Sequence, residues 1–176
     1  NSQTLTERGK NQLFEMARSR VATGVRTLYS ASDKLTSMSA DILAKEFDSK
    51  VKKMNCLDSV KFAVHTDKAL EEMLKDEEFR PDNGESIVEA RDRFGTCMGG
   101  IIAKHQDDVV AVVVEPLMAF LFYSHVTATP FDISEFHSTG HASCASYEYS
   151  RGWSVIMPPD NSFLSEPTTV LDTLSG

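Results

Sequence analysis

Apolar residues along the chain recur with two different periods, and the changes of period mark out the elements. Leu13, Phe14, Ala17 and Val21 follow helical intervals behind Thr4-Leu5-Thr6-Glu7, an S/T-x-x-E capping box, so a helix is predicted from about Leu5 to Ala22. Val25 to Tyr29 reads as a short buried strand. Beyond Ser32 and Asp33, the residues Leu35, Met38, Ile42, Leu43 and Phe47 return to i, i+3, i+4 and i+7 spacing and predict a second helix ending near Phe47. After the Asp82-Asn83-Gly84 turn, Ile87, Ala90, Phe94, Met98, Ile101 and Ile102 predict a long amphipathic helix that closes around His105.

Val109 to Val114 is a continuous, mostly β-branched run, the pattern of a strand buried on both faces of a parallel sheet. Pro116 then opens a buried helix through Leu117 to Phe122. Ala142 to Tyr149 and Trp153 to Met157, joined by Ser150-Arg151-Gly152, read as a hairpin at the sheet edge. The Lys-, Asp- and Glu-rich stretch 48–81 carries only a weak helical pattern, in Ala69, Leu70, Met73 and Leu74. It reads as a mobile, solvated charged insertion, and 166–176 as a C-terminal tail. The predicted fold class is α/β: a three-layer sandwich with a mostly parallel central sheet and helices on both faces, in a single domain over 1–165.

Bulk properties narrow the partners. With 176 residues, 41% of them hydrophobic, the chain can bury one sizeable core. A formal charge of −8 opposes binding to nucleic acid or an anionic membrane. The longest apolar run, Val109 to Tyr123, is broken by Glu115 and Pro116 and falls short of the roughly 20 residues of a membrane span. No membrane span and no nucleic acid are expected. The opening residues are polar, unlike the apolar core of a signal peptide. Cys56, Cys97 and Cys144 form no CxxC and leave an odd count, so a reducing compartment is expected, cytoplasm or mitochondrion.

Four segments, in this order, resemble the histidine phosphatase superfamily in its phosphoglycerate-mutase-like branch. Leu5-Thr6-Glu7-Arg8-Gly9 is similar to the family's LTERG helix start. Tyr29-Ser30 through Ala40 is similar to its Y-S-S-x-x-x-R-A-x-x-T-A segment. Gly84-Glu85-Ser86, with Arg93 on the same helix, resembles its G-E-S motif, and Val112-Val113-Val114-Glu115 its V-V-S-H-G-G strand end. The resemblance implies a phosphoglycerate-mutase-like sandwich and phosphoryl chemistry on a nucleophilic histidine in an R-H-G segment. That segment belongs to a first, central strand that should precede the LTERG helix.

The residues that match the family's site depart from it. Its second arginine, which would grip phosphate through a bidentate fork, falls on Leu35, and its second histidine on Glu115. Neighbouring Lys34 points about 100° away on a helix and lacks the fork. A carboxylate about 4 Å from a dianion repels it by several kcal/mol at an effective dielectric near 20. Of the constellation Glu85 alone is kept, as a vestigial acid. Its bland reading, a carboxylate near a helix N-terminus, is the favoured one. Arg93 is retained as a weak substrate-binding candidate, and Glu115 is expected to pair with Arg93 or another cation.

The remaining candidates are weaker. His137, His141 and Cys144 are donor types suited to zinc, but without a paired second half they predict no metal site. His65, His105 and His125 read as ordinary surface or helix-end residues, and no cofactor is implied. The expected function is a catalytically inactive, phosphoglycerate-mutase-like subunit of a larger protein assembly, oligomeric state unknown. The alternative is an active histidine phosphatase or mutase whose nucleophilic strand is missing from this chain. Without that strand, its two neighbours would be left with open N–H and C=O groups, a gap for a partner's strand to fill or for the remaining strands to close.

Overall fold

The computed structural model describes residues 4–62 and 67–174. Thr6 caps α1 (Glu7–Arg18), its hydroxyl accepting the Gly9 N–H at 3.0 Å. The cap is therefore Thr6 and not Thr4. The helix stops at Arg18, short of the predicted Ala22, because Arg20 takes a left-handed conformation with φ 63°. Asp33 caps α2 (Lys34–Glu46) by accepting the Thr36 N–H. The long helix α4 (Ile87–Ile102) begins with a full capping box between Ser86 and Glu89.

Three parallel strands run in the order β2 (Lys50–Lys53), β1 (Thr27–Ser30), β3 (Val110–Val113). β1 is central, in register Tyr29↔Lys52 on one side and Tyr29↔Val112 on the other. Each face is covered by its own apolar cluster. Leu13 and Met16 of α1, with Ala40 and Leu43 of α2, close over Leu28 on one face. On the other, Tyr29 meets Ile87, Phe94 and Ile101 of α4, and Leu117, Met118 and Phe122 of α5 (Pro116–Thr127). Helices thus lie on both faces of a parallel sheet, as the period changes predicted.

Three parts of the fold depart from expectation. The charged stretch 48–81 supplies strand β2, a 3-10 turn at Asn55–Leu57 and helix α3 (Asp67–Lys75), and Leu57, Val60, Leu70 and Met73 from it are core residues. Leu70, Met73 and Leu74 form an apolar stripe among exposed Lys and Glu, and burying that stripe makes the stretch part of the core. β3 is an edge strand whose residues are only half-buried, and Val109 before it is exposed. The hairpin β4 (Cys144–Tyr149) with β5 (Trp153–Asp160) forms a separate two-stranded antiparallel sheet and does not extend the parallel one. It docks through Tyr147 and Trp153 edge-on to Phe122.

The segment expected as a tail, 166–176, is held as far as it is described. Gln12 of α1, itself buried, donates to the Glu166 carbonyl at 3.0 Å and the Thr168 hydroxyl at 2.9 Å. Glu15 accepts from the Ser165 N–H and hydroxyl, both at 2.7 Å. Thr169 bridges to Gly140, and the buried Val170 opens the C-terminal helix Val170–Leu174. Among the described residues no helix is long and apolar enough to cross a membrane.

Candidate functional site

In a parallel sheet the carboxyl ends of the strands share one edge, where α/β folds gather their chemistry. Here Ser30, Lys53 and Val113 end the strands, and 31–33, 54–61 and 114–115 lead away from them. The first two loops are tied together: the Asp58 carboxylate accepts the Ser32 N–H at 2.6 Å and the Ser32 hydroxyl at 2.8 and 2.7 Å.

Arg93, two turns into α4, organises this edge. Nη1 donates to the carbonyls of Cys56 at 2.9 Å and Asp58 at 2.8 Å, Nη2 to that of Ser59 at 3.3 Å, and Nε to Glu85 Oε2 at 3.0 Å. Nη2 also bonds Glu85 Oε1. A guanidinium has five N–H donors, and all five are engaged. Glu85 in turn accepts the Lys61 N–H at 3.1 Å through Oε1, while its own N–H donates to the Lys61 carbonyl at 2.8 Å. The side chains of this pair are only 20% and 12% exposed. Gly84 allows the approach, since a Cβ there would lie 2.4 Å from the Lys61 carbonyl oxygen.

The predicted site residues therefore separate. Glu85 is the ion-pair partner of Arg93, and the cap of α4 is Ser86. Arg93 bonds Glu85 and spends its remaining donors on backbone carbonyls. Glu115 is the N-cap residue of α5 and its side chain makes no capping bond. Leu35, in the first turn of α2, is 36% exposed.

The four described histidines lie in four different environments. His105 is no ordinary helix end: Nε2 bonds the buried Tyr29 hydroxyl at 2.8 Å and Nδ1 lies 3.0 Å from Asp108. His125 is exposed in the last turn of α5, and His65 lies outside the described residues. His137 Nε2 sits 3.3 Å from Asp67, within ion-pair reach but outside hydrogen-bond geometry. His141 lies near the Thr173 hydroxyl at 3.4 Å, its pKa lowered by burial against the opposing pull of Asp172. Burial likewise raises the Cys144 thiol, and pushes Tyr147 to about 12. Among the described residues no three His, Cys, Asp or Glu side chains could hold a metal ion.

Cys56 and Cys97 are joined in a disulfide between the 3-10 turn and α4, a pairing their 41-residue separation did not suggest. Cys97 lies one turn beyond Arg93, so the disulfide and the guanidinium hold the same loop. The loop's dependence on one arginine was not legible from sequence. The helix that carries Arg93 was, from the apolar spacing after Gly84.

The sequence matches the histidine phosphatase superfamily (branch 1) over residues 2–157. Among solved structures, YhfR of Bacillus stearothermophilus is similar at TM-score 0.74 and 15% identity, over 90% of this chain and 86% of that one. A mycobacterial glucosyl-3-phosphoglycerate phosphatase solved with VO3 gives 0.66 and 16%, over 88% and 86%. A phosphoglycerate mutase from Bacillus anthracis gives 0.68 and 15%, over 90% and 83%. Among curated proteins none matches. The architectures agree, and at these identities the likeness carries the fold alone.

Proposed function

Since the chain belongs to the histidine phosphatase superfamily, we propose that it uses the phosphoglycerate-mutase-like fold as a catalytically inactive scaffold, a structural or interaction subunit of a larger assembly. The supporting observation is that all five donors of Arg93 are spent inside the protein, on Glu85 and three backbone carbonyls. The acid that the resemblance offered for proton transfer is held by the same guanidinium. General acid catalysis needs a proton aimed at a leaving group, and here both carboxylate oxygens are bonded inside the protein, to the Arg93 guanidinium and the Lys61 amide. The position matched to the phosphate-gripping arginine is Leu35, and that matched to the second histidine is Glu115.

Phosphate release from p-nitrophenyl phosphate and from phosphoglycerates tests this. The expected result is no turnover above a heat-denatured blank; turnover that disappears in Glu85→Ala contradicts it. The second reading, an active phosphatase or mutase whose nucleophilic strand is missing from this chain, draws support from neighbours whose names are those of phosphatases and a mutase. Turnover by a longer native chain carrying an R-H-G segment is its signature.

An intracellular, reducing setting remains part of the proposal, although the Cys56–Cys97 disulfide weighs against it. Maleimide labelling of the native protein without reductant decides the point: three reactive thiols after denaturation fit a reducing compartment, one fits the disulfide.

A further inference from the structure

Loop 54–61 is fastened to α4 twice, by chemistry of two kinds. The Arg93 guanidinium bonds the carbonyls of Cys56, Asp58 and Ser59, and one turn further along the helix Cys97 is joined to Cys56. The Cα atoms of the two cysteines are 5.8 Å apart, an ordinary span for a disulfide. Both residues belong to the apolar cluster of α4 and α5, Cys97 within it and Cys56 half-buried against it. A reduced cysteine behaves as a small apolar side chain. The pair can therefore open without stranding a charge in the core, and the loop keeps its second fastening.

The third cysteine, Cys144, is half-buried and unpaired, so the chain keeps a free thiol beside its one disulfide. In a thiol-keeping setting such as the one proposed above, a single disulfide is commonly transient and redox-sensing. The loop also passes its state on. Asp58, two residues beyond Cys56, accepts from the Ser32 N–H and hydroxyl, and so ties the end of β1 to the loop that follows β2. We propose that Cys56–Cys97 is a reversible redox clamp, closed by a low-molecular-weight disulfide and opened by the corresponding thiol, that sets how firmly the two strand-end loops are held. The clamp rests on the reducing setting and not on catalytic inactivity.

Opening is thiol–disulfide exchange. A thiolate RS− attacks Sγ of Cys56, the more exposed residue of the pair; the Sγ–Sγ bond breaks, and Cys97 leaves as a thiolate and takes up a proton. A second RS− attacks the RS sulfur of the mixed disulfide, forming RSSR and freeing Cys56, which is protonated in turn. Two electrons thus pass from two RSH to the protein, and closing by RSSR returns them along the same steps. After opening, the loop keeps its Arg93 bonds and loses its covalent one.

The test is equilibration of the purified chain, carrying Cys144→Ser, in mixtures of reduced and oxidised glutathione, read by thiol labelling and by amide hydrogen exchange. The bond should open and close reversibly, reaching the same ratio of forms from either side. Reduction should speed exchange at least about tenfold at Leu57 and Asp58, whose amides bond within the turn at 3.1 Å, and at Ser32, while α1 and α2 keep their rates. Cys56→Ala and Cys97→Ala should each show the reduced pattern in every mixture. The clamp is overturned if the bond withstands excess reduced glutathione, if its reduction unfolds the whole chain, or if exchange at the three amides is the same in both forms. The first two outcomes make the disulfide a permanent staple, the third an idle bond. Maleimide labelling of the chain as isolated judges the setting, and these mixtures judge the clamp.

Discussion

The loop 54–61 and the C-terminal segment 163–174 are both pinned by helix side chains, the first by a shielded ion pair and the second by a mixture of buried and exposed bonds. Arg93 and Glu85 hold the first from within, largely shielded from water. The second is tied by Gln12, by Glu15 and by Arg8, whose bond to Glu166 joins side chains 59% and 71% exposed. A buried pair is costly to break because the surviving charge is stranded, whereas an exposed pair is replaced by water. The shielded ion pair at the strand-end edge is therefore the costlier of the two to break.

The largest expected effect is therefore at the hub. Arg93→Ala leaves Glu85 half-satisfied and three carbonyls unbonded, and should lower unfolding stability by about 3–5 kcal/mol in denaturant titrations. On the strap, Gln12→Ala removes two bonds from a buried amide and should cost about 1–2 kcal/mol, with proteolysis beginning after residue 162. Arg8→Ala should cost less than about 1 kcal/mol, measurable only at low salt.

Acid should separate the two regions without mutation. Burial holds His141 below its ordinary value near 6.5, so its contribution is complete above that pH and is lost as pH falls toward the folded value. Glu15 and Asp172 are lowered by bonds from Ser165 and Thr169, so their contributions are complete above the ordinary carboxylate range and vanish as pH drops through their folded values. Hydrogen exchange at 163–174 should therefore rise between pH 7 and pH 4 before exchange at 54–61 does. The reverse order would break the comparison.

Much of the fold was legible because its signals are local. The periods of α2 and α4, Pro116 at the start of α5 and the Ser150–Gly152 turn all depend on neighbours in sequence. The edge position of β3 was not, since a VAVV run reads the same with one pairing neighbour or two. Nor was the stretch 48–81, where exposed lysines and glutamates surround Leu70 and Met73. At the site the type of Glu85 could be read but not its partner. Arg93, Cys56 and Asp58 meet through a loop closure across 35 residues or more, which no spacing rule encodes.

Denaturant unfolding of Glu85→Ala bears most directly on the claim that this carboxylate is part of the structure and not of a reaction. The account predicts a loss of about 3–5 kcal/mol, from stranding the Arg93 guanidinium in a poorly hydrated site. Unchanged stability in that variant would contradict it.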